Sequence, residues 1–179
     1  LEVLREEQTG ERGGLSIDGK TLCGSRKQGA EDAHILSAYA QQAGVLLAQQ
    51  PVADKTNEQG IIEEFLLGLV LEGRVVSTDA LHTHRSVVRT IIDQGGDYVM
   101  TLKRNEAATY EAITCWFEEP APYDCPNQVA TTVEKRHGRV TTRRLEATTV
   151  LNDYLDWAGL ARVYQLTRTT LDPTTGHRS

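Results

Sequence analysis

From Leu15 the chain alternates apolar and polar positions through LSIDGKTL, the period of a half-buried strand. The residues before it, 1–13, are polar, rich in Glu and Gly, and periodic in nothing. HILSAYA and VLLAQQPV repeat the alternation on either side of Gln41-Gln42-Ala43-Gly44, which predicts a hairpin and makes three strands, read as antiparallel. The period then changes. Ile61, Ile62, Phe65, Leu66, Leu69 and Val70 fall on one face of an amphipathic helix, with Asn57 as its N-cap and Gly73 as its terminator. RVVSTDA is a short, apolar, buried strand; a second helix is expected from about Thr83, with Val87, Val88, Ile91 and Ile92 on one face and Gly95-Gly96 at its end. DYVMTLK predicts another strand and NEAATYEAITCWF another helix. Beyond a Pro-rich break, TTVEKRHGRV and TTRRLEATTVL read as long strands rich in Thr and Val, and ARVYQLTR as one more.

The order β-β-β-α-β-α-β-α means an antiparallel set extended by right-handed crossovers, which is the strand order of a ribonuclease H-like domain. The predicted fold is therefore α/β, a mixed sheet flanked by helices with a β-rich insertion near the C-terminus. The corresponding divisions are a disordered or fragmentary lead-in (1–13), a ribonuclease H-like core (14–119), the β-rich insertion (120–170) and a tail (171–179). Composition agrees with one main core: 179 residues, 39% apolar and 25% charged, are too few for two comfortable domains. No apolar run is long enough to span a bilayer and the acidic start is no signal peptide, so the chain is expected to be soluble and cytoplasmic. It opens at Leu1 rather than at a methionine and is read as a piece of something longer. Cys23, Cys115 and Cys125 show no C-x-x-C spacing and are expected to be ordinary reduced cysteines. Trp116, Phe117 and Trp157 are expected in the core.

Asp18 and Asp79 are the main candidates for chemistry. Each ends a short apolar run, as a sheet does when it delivers paired carboxylates to one edge, and such hard oxygen ligands suit Mg²⁺ or Mn²⁺. Each also has a plainer reading: Asp18-Gly19 is a hairpin-turn signal, and Asp79 stands where a helix cap would. If strands one and four lie side by side, the pair could share metal ions about 4 Å apart. His82 and His84 have i, i+2 spacing with no third nitrogen or sulfur ligand nearby, so helix-start polarity or a phosphate contact suits them better than a metal. Lys103, with Arg104 and Asn105 after it, is either a nucleic-acid contact or a solvated strand end.

The net charge of −6 hides an asymmetry, since residues 1–125 hold 11 basic and 20 acidic side chains whereas 126–179 hold 8 and 5. Most of the late positive charge falls on Lys135, Arg136, Arg139, Arg143 and Arg144. An exposed hairpin face would account for it, but the density favours contact with DNA phosphates. Aromatic residues are absent from the run, so base stacking with single strands is not indicated.

IDGKTL, HILSAYAQQAGVLLAQQPVADKTNE, STDALHTHR, GGDYVMTLKRNE, VEKRHGRVTTRRL and LNDYLDW resemble, in order and spacing, the DDE transposases of bacterial insertion sequences. The likeness is to the ISAs-type branch that includes the H-repeat-associated proteins, and it covers roughly residues 14–170. The resemblance implies a ribonuclease H-like catalytic domain in which two aspartates, here Asp18 and Asp79, and a glutamate hold two divalent ions, Mg²⁺ or Mn²⁺. It implies nicking of double-stranded DNA at the element's end and attack of the freed 3′-hydroxyl on target DNA. Paired ends imply at least a homodimer in the synaptic complex, and binding implies association with the nucleoid. The family's glutamate lies in a Trp-x-Ile-Glu-Asn segment, and no segment of that form occurs here. Glu134 and Glu146 are poor substitutes, and Thr141 stands where relatives often have glutamate. The chain alone is therefore expected to be inactive. The alternative is a remnant that binds DNA or a protein without chemistry.

Overall fold

A computed structural model of the chain describes residues 13–21, 34–52, 58–119, 125–136 and 138–171, and its contacts divide the chain into two units, Leu1–Glu106 and Ala107–Ser179. Asn57, Cys23, the lead-in apart from Gly13 and the expected tail apart from Leu171 lie outside the described residues.

The first unit runs β1 (Gly13–Thr21), β2 (His34–Ala40), β3 (Val45–Val52), α1 (Glu58–Leu67), β4 (Arg74–Thr78), α2 (Arg85–Asp93) and β5 (Asp97–Met100). The strands form one sheet in the order β3-β2-β1-β4-β5. β1 pairs antiparallel with β2 and parallel with β4, which is the ribonuclease H-like arrangement. Leu15 and Ile17 of β1, Leu36 and Ala38 of β2 and Val76 of β4 point to one face, where Ile62, Phe65 and Leu66 of α1 and Val87 and Ile91 of α2 close the core over them. Along the opposite face, Leu46, Tyr39, Ser16, Ser77 and Val99 stand in register across all five strands.

Two helix boundaries differ from expectation. α1 stops at Leu67 because Gly68 follows, a residue that weakens a helix interior by roughly 1 kcal/mol; Leu69 N donates to Leu66 O at 3.0 Å in a tighter turn. Gly73 does not terminate the helix but, with φ of 68°, makes the turn into β4. α2 begins at Arg85 rather than Thr83, since a 3-10 turn, Ala80–His82, comes first.

Tyr98 of β5 packs against the edge of this core, and its hydroxyl is buried without a hydrogen-bond partner among the described residues. Burial pushes its phenol up to about 12, from an ordinary value of 10.0. The folded state thus holds this proton more tightly than the unfolded chain does. The associated stability is complete below pH 10 and is lost as pH rises towards about 12. Urea titrations across that window should show Tyr98→Phe losing less stability than wild type, and equal losses would contradict the assignment.

The second unit comprises α3 (Ala107–Glu118), β6 (Gln128–Arg136), β7 (Arg139–Thr148) and β8 (Val163–Leu171). Its sheet is antiparallel in the order β6-β7-β8, and Gly138, with φ of 75°, turns the β6–β7 hairpin. Leu151, Leu155 and Val163 are buried against Ile113, Trp116 and Phe117 of α3 and against Trp157. Both indole N–H groups are satisfied, Trp116 by Asn127 Oδ1 at 3.1 Å and Trp157 by Thr109 Oγ1 at 3.2 Å. Those packing contacts put α3 with this unit, whereas the sequence places the division after α3. Among the described residues no helix is long and apolar enough to cross a membrane.

Candidate functional site

β1 and β4 are parallel neighbours, with Leu15 opposite Val76, Ser16 opposite Ser77 and Ile17 opposite Thr78. Side chains alternate across a strand, so Ile17 and Thr78 face the core while the residues on either side of them face away. Ser16 Oγ and Ser77 Oγ meet at 3.1 Å on that outer face. Asp18 and Asp79 each follow two residues later, Asp79 still in extended backbone with φ −73° and ψ 174°. Asp18 and Asp79 therefore leave adjacent strands at the same edge of the sheet, each one residue past the Ile17–Thr78 pair. The shared pattern Ser-x-Asp, at 16–18 and 77–79, is a signal for this juxtaposition that the separate motifs conceal.

The plain readings fare differently. Asp18 is no turn residue, because β1 continues to Thr21 and Asp18 pairs with Ser37 of β2. Its carboxylate lies 3.4 Å from Lys20 Nζ, both side chains being exposed. Asp79 is a cap, but of the 3-10 turn: its Oδ1 accepts from Leu81 N at 3.1 Å and His82 N at 3.3 Å. That fixes the carboxylate's direction while placing both bonds on one oxygen.

Around Asp79 the chain is tied to the segment after β5, through contacts that the sequence motifs did not predict. Thr83 is buried, and its Oγ1 lies within donating distance of two carbonyls, Asp79 O at 3.0 Å and Thr101 O at 2.9 Å. Asn105 donates to Thr83 O at 2.9 Å, and His84 Nδ1 lies 3.1 Å from Glu106 Oε1. His84 thus belongs to this brace. His82 is buried instead, with Nε2 where a Cβ on Gly19 would lie 3.3 Å from it, so the glycine after Asp18 leaves room for the ring. Lys103 is exposed just past β5, a strand parallel to β4, and so emerges at the carboxylate edge.

Two carboxylates with free access to solvent suit a hard divalent cation in donor type. Among the described residues no group of three His, Cys, Asp or Glu side chains gathers to hold a metal.

In the second unit the basic run spreads along the β6–β7 hairpin. Arg143 Nη1 lies 3.0 Å from Glu134 Oε2 and Arg136 Nε 3.3 Å from Glu134 Oε1, while Arg144 pairs with Glu146. Lys135 and Arg139 are exposed. Glu134 and Glu146 are thus engaged with arginines within the hairpin.

The family model described as a transposase DDE domain matches residues 9–178. An uncharacterized protein in the dhlA 3′ region of Xanthobacter autotrophicus is 38% identical over 144 residues, covering 80% of this chain and 47% of that protein. The H repeat-associated protein YhhI of Escherichia coli K12 is 30% identical over 161 residues, covering 83% and 41%. The chain spans less than half the length of these two relatives. A solved piggyBac transposase synaptic complex with hairpin DNA aligns over 94% of this chain and 36% of that one, with a TM-score of 0.41 and 12% identity.

Proposed function

The chain belongs to the transposase DDE family, and on that footing we propose that it forms part of an enzyme for metal-dependent DNA nicking and strand transfer, with Asp18 and Asp79 as two of its three catalytic carboxylates. The observation that carries this reading is the paired Ser-x-Asp on adjacent parallel strands, joined by the Ser16–Ser77 contact. Asp18 and Asp79 would hold Mg²⁺ or Mn²⁺, two ions in the complete site. Such ions polarise the phosphodiester and favour deprotonation of the attacking hydroxyl.

The chain's own residues orient that chemistry. Backbone amides of Leu81 and His82 fix one oxygen of Asp79 and leave the other to a ligand. Thr83 and Asn105 brace the turn that carries it against the segment after β5. Lys20, beside Asp18, and Lys103 supply positive charge at an otherwise acidic edge, where a DNA phosphate must approach. We assign residues 14–119 to the catalytic core, although α3 packs with the second unit, and 120–170 to an insertion whose basic hairpin contacts double-stranded DNA, both element ends and target. Two copies would act together in a synaptic complex, in the cytoplasm and at the nucleoid.

With two of three carboxylates, the 179-residue chain is expected to nick DNA weakly or not at all. Mg²⁺- or Mn²⁺-dependent nicking of duplexes carrying the element's terminal repeat tests this. Vigorous cleavage by residues 1–179 would show that two carboxylates suffice and end the three-carboxylate assignment.

A further inference from the structure

The basic run from Lys135 to Arg144 looks like one patch in the sequence, but the strand register divides it. Arg136 stands directly opposite Arg139 across β6–β7, and Arg143 directly opposite Arg168 across β7–β8. Directly opposed residues point to the same side of a sheet, and sides alternate along each strand. Arg136, Arg139, Arg143 and Arg168 therefore share one face, and Lys135 and Arg144 belong to the other. Among the described strand residues the arginine face carries a single carboxylate, Glu134, which lies diagonally between Arg143 and Arg136. On the other face Arg144 is paired with Glu146, as Arg143 and Arg136 are with Glu134, and Lys135 is exposed.

Like charges directly opposite one another destabilise a sheet. This face holds two such arginine pairs, of which Arg136 and Arg143 share the one carboxylate Glu134. Arg168 is exposed and forms no ion pair among the described residues. Its neighbours on the same face, Leu166 and Tyr164, are also open to solvent, whereas Val163, on the opposite face, is buried in the core of the unit. Along β7 the two rows of arginines are four residues apart, about 13 Å, so they can reach separate phosphates. Guanidinium groups suit such a ligand because their planar forks match phosphate oxygens in pairs.

We infer that the face bearing Arg136, Arg139, Arg143 and Arg168 is the surface that grips the phosphate backbone of double-stranded DNA, and that Lys135 and Arg144 take no part. The inference rests on the DNA-binding reading above and adds to it a residue of β8, outside the basic run, while removing two within it.

Fluorescence anisotropy of a labelled duplex of mixed sequence, titrated with the full chain at several salt concentrations, tests it. Each lost phosphate contact lowers the slope of log affinity against log salt by about 0.9. Arg168→Ala should show that reduction and Arg143→Ala/Arg168→Ala about twice as much. Arg168→Lys, which keeps the charge, should retain most of the slope. The thermal midpoint of Arg168→Ala should not fall, because an opposed like charge has been removed. Lys135→Ala/Arg144→Ala should keep the wild-type slope. Equal losses from the two faces, or an unchanged slope in Arg168→Ala, would overturn the inference with the DNA-binding reading intact. A wild-type chain that does not bind the duplex would overturn both.

Discussion

Asp79→Ala is expected to lower metal-dependent cleavage by at least about a thousandfold, measured in a protein that joins these residues to the third carboxylate. It should also reduce folding stability by about 1 kcal/mol, the usual consequence of removing a capping side chain. The two effects have separate origins. Leu81 N and His82 N need an acceptor whether or not a cation is present, and Asp79 Oδ1 is that acceptor. Asn caps as well as Asp, so Asp79→Asn should restore most of the stability and none of the cleavage. Asp18→Asn should match it in cleavage and change stability little, since Asp18 is exposed and its pairing with Lys20 is of the kind worth about 0–1 kcal/mol. Urea melts and nicking rates on the four proteins check this. An Asp79→Asn protein that still cleaves at a wild-type rate would remove Asp79 from the site.

Leu15→Ala should have the largest effect on the fold, about 2–5 kcal/mol of destabilisation, a large share of the 5–15 kcal/mol typical of whole domains. Leu15 lies on the central strand with no exposed surface, opposite Ala40 on one side and Val76 on the other. Truncation leaves a cavity between α1, α2 and the sheet that backbone hydrogen bonding on both sides prevents from collapsing. Val99→Ala, at 63% exposure on an edge strand, should stay within about 0.5 kcal/mol. Amide exchange in β1 and β4 reports both, and comparable losses at the two positions would contradict this account of the core.

Much of this architecture is legible in the chain because the strands advertise themselves. LSIDGKTL and HILSAYA alternate cleanly, and Gln41 to Gly44 marks the hairpin between β2 and β3. Local pattern fails where a single residue or a distant partner decides. Gly68 cuts α1 short of an apolar run that continues to Val70, and Asp79 caps a 3-10 turn where periodicity suggests that α2 has begun. The brace of Thr83, Asn105 and Glu106 joins segments about twenty residues apart, so neither segment alone signals it. The arginine faces are hidden for a related reason. Charge density is a property of the run, but sidedness is a property of register, and Arg168 enters only through β8. The placement of Asp18 and Asp79 at one edge of the sheet lies between these cases: each aspartate is visible, and the shared edge follows from repeated Ser-x-Asp once β1 and β4 are neighbours.

On the proposed assignment, that neighbourhood would make catalytic competence a test of correct assembly. The two aspartates come from strands separated by a hairpin and a helix, and only the parallel register of β1 on β4 aligns them. A slip of one residue would turn Leu15 and Ile17 outward and send Asp18 into the apolar layer, because every side chain on a slipped strand changes sides. Misregistered chains would lose the core and the carboxylate pair in the same event. On the proposed assignment, the alternation that builds the sheet would also keep a misregistered chain from holding the carboxylate pair.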